Sequence, residues 1–409
     1  MSRAGAVGRS DRLFTKAFGL LVSGHLLQSL GYSSMLLLPL YLDHLGADYE
    51  EIGRIMAVSS IGGLAARPLI GWALDAIGRR PTLVGGTVLL SASMGLCWFV
   101  TDRGPLIYLV RLLFGLGVGA LFTGYFTFAA DLVPTARRTE GLALFGISGL
   151  VPLVINPLAS TIGVRAPDLR WFFPLLGLLV VSSLAAVFAL REPQHLVDRE
   201  PLRRGDVWSA LRHRELWSVW LATIVFSGLV AMFFVFVTVV AKRRGAENPA
   251  LFWLSYAVGA VAVRAIGARL PDRLGPSNVL APALASAVVG ALVVADAWSS
   301  TSFLVGGFLA GLGHGYCFPV LSAQVADRVP ESLRGSGFAM FTALWELSAL
   351  AFKPLLGAVA IWTSDSAMFA AMALFATLGL GGWLLLEHSG QRSAQTKRHR
   401  RSADGASVR

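Results

Sequence analysis

Long apolar segments and short polar connections alternate along the whole 409-residue chain. Each apolar segment is about 20 residues long, the length of helix that crosses the roughly 30 Å hydrocarbon core of a membrane. Apolar residues are continuous within a segment rather than alternating, which excludes β-strands. The pattern predicts twelve membrane-spanning helices, over residues 17–41, 52–74, 82–101, 106–128, 141–162, 171–190, 216–241, 250–270, 278–297, 302–325, 337–361 and 367–387.

The composition excludes a soluble protein, because 55% of the residues are hydrophobic and only 14% are charged, against about 25% charged residues in soluble domains. The first segment carries His25 and Gln28 and is followed by no small-residue cleavage site, so we interpret it as a retained span and not as a signal peptide. The two cysteines, Cys97 and Cys317, lie in separate predicted spans, which indicates neither a disulfide framework nor a metal site. We expect no cofactor.

An internal repeat relates the two halves of the chain. With a displacement of 196 positions, Asp131, Pro134, Arg138 and Gly141 return as Asp327, Pro330, Arg334 and Gly337, and Gly115, Gly117 and Gly119 return as Gly311, Gly313 and Gly315. With a displacement of 197, Arg67, Asp75 and Gly78 return as Arg264, Asp272 and Gly275. A repeat of this length in so apolar a chain is typical of a duplicated membrane bundle.

The repeat predicts an all-α membrane protein, with twelve transmembrane helices in two pseudo-symmetric six-helix bundles. The amino-terminal bundle is predicted over residues 1–190 and the carboxyl-terminal bundle over 216–387, with a charged cytoplasmic linker at 191–215. The last residues, 388–409, form a basic cytoplasmic tail without apolar periodicity, for which we predict disorder.

The basic residues predict the orientation of the bundle, since cytoplasmic loops carry an excess of Lys and Arg. One set of connections, together with both termini, holds 24 of the 35 basic residues, and the opposite set holds six. We therefore expect a multi-pass protein of the plasma (inner) membrane with both termini in the cytoplasm. Lys242, Arg243 and Arg244 lie on the predicted outer side and depart from this pattern. The net charge of +11 lies at membrane edges, which favours anionic lipid over nucleic acid as the partner.

A loop motif joins the second and third predicted helices: residues 71–83 read GWALDAIGRRPTL. This segment resembles the loop signature of the major facilitator superfamily, and a weaker copy lies between helices 8 and 9. With twelve predicted spans, the resemblance covers essentially the whole chain. It implies a secondary transporter with a midplane substrate site and alternating access.

The resemblance also implies that this loop latches the cytoplasmic side in the outward-open state. In physical terms, Gly71 allows a neighbouring helix to approach closely, and Arg79 and Arg80 can bridge carboxylates such as Asp131. Static loop packing is the alternative. The predicted cytoplasmic gate comprises Arg67, Gly71, Asp75, Gly78, Arg79, Arg80, Asp131, Arg138, Arg264 and Asp272.

Two charged residues are candidates for proton coupling. In helix 4, Arg111 precedes spaced glycines, which resembles a superfamily pattern that implies such a role; the alternative is that Arg111 snorkels to the outer interface. In helix 11, Glu346 is the one acidic residue that the sequence places near mid-depth. Burial favours its protonated form and a nearby cation its ionised form, so proton transfer and a permanent ion pair both remain open. Lys353 lies seven residues further along the same face.

Polar residues within the apolar segments form a candidate substrate cavity. His25, Gln28 and Tyr32 follow i, i+3, i+7 spacing and share one face of the first helix. The other predicted cavity residues are Asn156, His314, Trp345 and Lys353. Packing is the alternative role for each of them. Many drug-exporting members of the superfamily carry Gly-x3-Gly-Pro in helix 5, whereas this chain has Pro152 and then Asn156–Pro157, which predicts an irregular helix.

Together these features predict a secondary transporter, and not an enzyme, that exports a small amphipathic compound or metabolite in exchange for protons. Proton-coupled uptake of a polar metabolite is the first alternative. A membrane sensor or intramembrane enzyme built on the transporter fold is the alternative of another class, although His25 and His314 are not spaced as metal ligands. The expected partners are a small-molecule substrate, protons and the lipid bilayer, with no nucleic acid, and the expected state is a monomer.

Overall fold

A computed structural model describes residues 13–134, 137–192, 209, 211–329 and 334–406. The side chains of residues 75, 138–140, 334–335 and 390–406 are not among the described parts, nor is most of the predicted linker at 191–215. Every described segment of regular structure is helical.

Two compact units divide the chain. The first comprises residues 1–41 and 61–199, and the second comprises residues 42–60 and 200–409. The α-helices of the first half of the chain are α1 (Lys16–Ser34), α2 (Leu38–His44), α3 (Tyr49–Ala76), α4 (Arg79–Leu96), α5 (Pro105–Leu132), α6 (Arg138–Ile147), α7 (Ile155–Thr161) and α8 (Leu169–Ala189). Those of the second half are α9 (Trp217–Arg243), α10 (Leu251–Ile266), α11 (Leu270–Leu274), α12 (Pro276–Ala295), α13 (Ser300–Asp327), α14 (Arg334–Trp362) and α15 (Asp365–Ala406).

Each of the twelve predicted segments corresponds to a helix or to a run of consecutive helices. In the described residues, ten helices are long and apolar enough to cross a membrane, and α10 is a shorter apolar helix. The first segment continues from α1 through a single 3-10 turn, Met35–Leu37, into α2. The prediction of an all-α membrane protein is therefore confirmed.

Three segments differ in detail from the apolar pattern. The fifth is broken into α6, the 3-10 turn Val151–Val154 and α7, which confirms the irregular helix expected from its prolines. The eighth ends at Ile266 rather than 270, and the short α11 follows it. The last helix continues to Ala406, past the predicted end of the span at 387. Disorder of the tail stays a prediction.

Small residues let helices cross closely, and the crossings repeat between the units. In the first unit, a Cβ added to Gly62 of α3 would lie 2.5 Å from the carbonyl oxygen of Leu112 in α5. In the second unit, a Cβ on Gly259 of α10 would collide with the carbonyl oxygen of Phe308 in α13. Gly259 and Phe308 follow Gly62 and Leu112 by 197 and 196 positions. The same backbone contact therefore occurs twice, at the spacing of the sequence repeat.

A second crossing repeats in the same way. A Cβ on Gly117 would lie 2.6 Å from the backbone nitrogen of Leu90, where α4 packs against α5. A Cβ on Gly313 would lie 3.3 Å from the backbone nitrogen of Ala287, where α12 packs against α13. These pairs are again 196 and 197 positions apart. The glycines that define the repeat in the sequence are thus contact residues at equivalent helix crossings.

Candidate functional site

The loop between α3 and α4 is organised around the guanidinium group of Arg79. Its Nε atom lies 3.0 Å from a carboxylate oxygen of Asp131, near the end of α5. The same guanidinium donates a hydrogen bond to the carbonyl of Leu74 in α3, and Arg79 is only 3% exposed. One buried cation therefore ties together the ends of α3, α4 and α5, and the Arg79–Asp131 pair suggested by the sequence is present. Its role as a gate stays a prediction.

Glu192, just after α8, holds the first turn of α4. Its carboxylate accepts hydrogen bonds from the backbone N–H of Arg79 and, at 3.0 Å, of Arg80. The preceding Gly78 has φ +105°, which favours glycine. A carboxylate at the amino end of a helix satisfies free N–H groups and complements the helix dipole. The sequence carries no signal for this role, because Glu192 is one of many charged residues in the linker.

The second unit contains a related carboxylate, Glu387 of α15. It accepts hydrogen bonds from Arg328 at 2.7 Å, from Ser277 at 2.9 Å and from Ser218 at 2.6 Å. Ser277, at the start of α12, follows Arg80 by 197 positions. In each half of the chain, a carboxylate at the end of the last predicted span thus binds the first turn of the helix that forms the third predicted span, although the bonded atoms differ.

The other predicted gate residues lie at or near the ends of α3, α6, α10 and α11. A Cβ added to Gly71 would meet no atom within 4 Å among the described residues, so none of the described helices approaches Gly71 closely, and its part in the gate stays a prediction. Arg67 is half-buried, and Asp272 is exposed on α11. The side chains of Asp75 and Arg138 lie outside the described parts.

In the first unit, His25 is enclosed by rings. Its Nδ1 atom lies 2.7 Å from the hydroxyl of Ser148. The ring centroids of Phe145 and Tyr125 lie 4.5 and 5.1 Å from that of His25. These contacts account for His25 as a packing group, and its assignment to a substrate cavity stays a prediction. Gln28, one turn further along α1, is also buried.

Arg111 lies against aromatic rings inside the first unit. Its guanidinium carbon is 4.4 Å from the centroid of the Phe114 ring, which stacks on Tyr32 at 5.8 Å. Arg111 is only 3% exposed, so the side chain is packed within the protein instead of snorkelling to the interface. Asn156, in α7, is fully buried and donates to the carbonyl of Leu153 at 3.0 Å.

In the second unit, His314 of α13 is the centre of an aromatic cluster. Its Nδ1 atom is hydrogen-bonded to the hydroxyl of Tyr256, and its ring is nearly parallel to Phe234, with 6.3 Å between centroids. Phe226 contacts His314 edge-on at 5.3 Å and Trp345 at 5.2 Å. The structure therefore brings two predicted cavity residues, His314 and Trp345, to one cluster.

Arg264 of α10 reaches this cluster. Its Nε atom donates to the carbonyl of Gly315 at 3.2 Å, near the middle of α13. Gly315 directly follows His314 in the chain, so the Arg264 side chain ends at the same level of α13 as His314. Sequence symmetry places Arg264 in the cytoplasmic gate beside Arg67, whereas the structure places its head group at mid-helix depth.

Lys353 and Glu346 occupy α14. The Lys353 ammonium group is buried and donates to the hydroxyl of Ser60 at 2.9 Å and to the carbonyl of Met56 at 3.2 Å. Glu346 is half-buried next to Trp345. Among the described residues, it is the one carboxylate more than two turns from the ends of a span.

The three basic residues at the end of α9, Lys242, Arg243 and Arg244, form ion pairs with carboxylates. Asp43 accepts from Lys242 at 2.9 Å and from Arg243 at 2.8 Å. Arg244 pairs with Asp365 at 2.9 Å, and its guanidinium also donates to carbonyls at the end of α12. Two carboxylates therefore pair with all three basic side chains of the cluster.

This arrangement defines a class, namely membrane proteins made of two related helical bundles. The sequence model of the Major Facilitator Superfamily matches residues 20–297 and 254–407. The chain therefore belongs to that family. It is a multi-pass membrane transporter that carries out secondary transport by alternating access.

Known proteins resemble the chain over most of its length. A gentisate transporter of Corynebacterium glutamicum is 27% identical over 362 residues, which cover 82% of this chain and 80% of the relative. The crystal structure of a peptide transporter, POT, in complex with sulfate has a TM-score of 0.77 at 14% identity and covers 92% of this chain and 94% of that one. The human organic anion transporter MFSD10 has a TM-score of 0.67 at 19% identity, with coverage of 93% and 100%. At these identities the two structures support the fold alone.

Proposed function

We propose that this transporter carries a small organic anion with an aromatic body, together with protons. The observation that carries the proposal is an excess of positive charge inside the spans. Arg111 and Lys353 are buried basic side chains within spans and the head group of Arg264 lies at mid-helix depth, whereas among the described residues Glu346 is the one carboxylate more than two turns from the ends of a span. Charged side chains at this depth are costly unless a partner or an aqueous cavity compensates them. A net positive charge at this depth favours binding of an anionic substrate.

An aromatic substrate fits the surroundings of these cations. Arg111 lies against Phe114, which stacks on Tyr32, and Arg264 bonds to the carbonyl of Gly315, the residue that follows His314 in the aromatic cluster. The name of the Corynebacterium relative supports the same class, since gentisate is an aromatic carboxylate.

Proton coupling follows from the charge of the substrate. An inside-negative membrane potential opposes entry of an anion by about 2.3 kcal/mol per charge at 100 mV, and protons that enter with it offset this cost. Export of an anion is favoured by the same potential and requires no proton. We therefore propose uptake, the alternative direction named from the sequence, with Glu346 as the proton carrier. The departure of helix 5 from the exporter pattern agrees with uptake.

We further propose that the protein lies in the inner membrane with both termini cytoplasmic, and that the Arg79–Asp131 pair belongs to the cytoplasmic gate. A double-mutant cycle tests the gate. Transport rates are compared for Arg79→Gln, Asp131→Asn and the double variant. A gate that depends on this pair predicts slower transport in each single variant and a double variant no slower than either, whereas additive effects on rate contradict it.

Transport by purified protein in proteoliposomes tests the proposed function. Radiolabelled gentisate and benzoate are added outside, with the external solution more acidic than the lumen. We expect accumulation above the external concentration, abolished by a protonophore. Neutral aromatic acids cross bilayers unaided, so protein-free vesicles provide the background to subtract.

Glu346→Gln tests the coupling, with Glu247→Gln, in an exposed loop, as the matched control. We expect Glu346→Gln to abolish gradient-driven accumulation and Glu247→Gln to behave as the unaltered protein. Accumulation that is insensitive to the pH gradient contradicts proton coupling. Transport of uncharged compounds without any carboxylate contradicts the substrate class.

A further inference from the structure

The guanidinium group of Arg264 is held by one hydrogen bond and has further N–H donors to offer. One hydrogen bond, from Nε to the carbonyl of Gly315, holds the edge of the guanidinium group against α13. Among the described residues, the two terminal nitrogens have no hydrogen-bond partner, and the side chain is half-buried. A guanidinium group fixed by Nε presents these two nitrogens as a fork, the geometry that binds both oxygens of a carboxylate.

A second donor lies beside this fork. The Tyr256 hydroxyl is hydrogen-bonded to Nδ1 of His314. When the phenol donates this bond, the neutral imidazole carries its proton on Nε2. No described residue accepts a hydrogen bond from Nε2, and His314 directly precedes Gly315, whose carbonyl accepts from Nε of Arg264.

Aromatic rings surround the same histidine. Phe234 stacks on His314, and Phe226 contacts both His314 and Trp345. His314 and Trp345 are half-buried, so part of each ring remains accessible. A fork of cationic donors next to accessible rings suits a ligand that joins a carboxylate to a flat apolar body.

We propose that Arg264 and His314 form the carboxylate-binding subsite of the transporter, with the half-buried rings of Phe234 and Trp345 as the contact surface for the ring of an aromatic monocarboxylate. The two carboxylate oxygens accept from the terminal nitrogens of Arg264, and Nε2–H of His314 donates to one of them. This inference rests on the proposed function, since it takes its substrate class from there. It changes the role of Arg264 from a gate residue to a ligand residue.

Equilibrium binding to full-length protein in lipid nanodiscs tests the subsite. The probes are radiolabelled benzoate and its neutral analogue benzamide. Arg264→Gln removes the fork, and Arg264→Lys keeps the charge without it. The matched control is Arg269→Gln, an exposed arginine five positions along the chain. Charge-assisted hydrogen bonds of this kind predict that Arg264→Gln weakens benzoate binding at least about tenfold.

The affinities of the variants for benzoate and benzamide decide whether Arg264 binds the carboxylate. The proposal expects an intermediate loss for Arg264→Lys, no change for Arg269→Gln, and unchanged benzamide binding in every variant. Unaltered benzoate binding by Arg264→Gln, or equal losses for benzoate and benzamide, overturns the subsite and returns Arg264 to gating or packing. If size-exclusion profiles show that Arg264→Gln is misfolded, His314→Phe, which keeps a ring but removes the Nε2–H donor, decides: a loss for benzoate alone supports the subsite, and unchanged binding overturns it.

Failure of the proposed function has a different signature. If the unaltered protein neither binds nor transports benzoate or gentisate, the substrate class is wrong and the subsite falls with it. If the unaltered protein transports them in a pH-dependent manner and Arg264→Gln binds benzoate normally, the proposed function stands and only the subsite is wrong.

Discussion

Replacing Glu192 by alanine tests how the loop before α4 is held. The carboxylate accepts hydrogen bonds from the backbone N–H groups of Arg79 and Arg80, which the helix itself cannot satisfy. Removing a side chain that caps a helix in this way costs about 1 kcal/mol, with a range of roughly 0.5–2. Loss of the negative charge at the helix dipole adds about 0.3–1 kcal/mol. We therefore expect Glu192→Ala to lower the free energy of unfolding by about 1–3 kcal/mol.

Glu192→Gln separates the two contributions, because its amide oxygen still accepts one hydrogen bond while the charge is lost. We expect it to retain about half of the stabilisation. Thermal unfolding of the purified protein, followed by tryptophan fluorescence, provides the measurement. Glu247→Ala, in an exposed loop, is the control. A midpoint for Glu192→Ala equal to that of Glu247→Ala would refute the capping role and leave Glu192 an incidental contact.

Two further predictions concern packing and charge. Gly117→Ala places a methyl group 2.6 Å from the backbone nitrogen of Leu90, and we expect it to lower the free energy of unfolding by about 1–3 kcal/mol. Gly85→Ala, with nothing within 4 Å, should be neutral or stabilising. Equal unfolding midpoints for the two variants would contradict the close crossing. Asp365→Asn removes the carboxylate partner of a buried arginine side chain and should cost about 1–3 kcal/mol. Asp43→Asn breaks ion pairs whose partners, Lys242 and Arg243, are half-exposed, and should cost no more than about 1 kcal/mol of unfolding free energy. A larger loss of stability for Asp43→Asn than for Asp365→Asn in the same unfolding assay would contradict this ranking of the ion pairs.

The apolar pattern was sufficient to predict the helices, because membrane thickness fixes the length of each span. The repeat was equally informative: glycines displaced by 196 or 197 positions occupy the same helix crossings in both units. Gly71 shows the limit of motif reasoning, since no described neighbour approaches it. The end of α10 at Ile266 was missed because short apolar turns continue the hydrophobic pattern after a helix stops.

Long-range partners could not be predicted from one sequence. Glu192 and Asp43 lie in polar stretches in which any charged residue has several candidate partners, and only the fold selects one. Arg264 was grouped with Arg67 by sequence symmetry, but its side chain extends along α13 to Gly315. Helical periodicity places a residue on a face; it does not determine where a long flexible side chain ends.

The most direct test of the central claim is to record proton and substrate movement together. Proteoliposomes loaded with a pH-sensitive dye, at equal internal and external pH, receive external labelled gentisate, and signals from protein-free vesicles are subtracted. We predict that internal acidification accompanies gentisate entry and that both are lost in Glu346→Gln. Gentisate entry through the protein without acidification, or acidification that persists in Glu346→Gln, would contradict proton-coupled uptake through this residue.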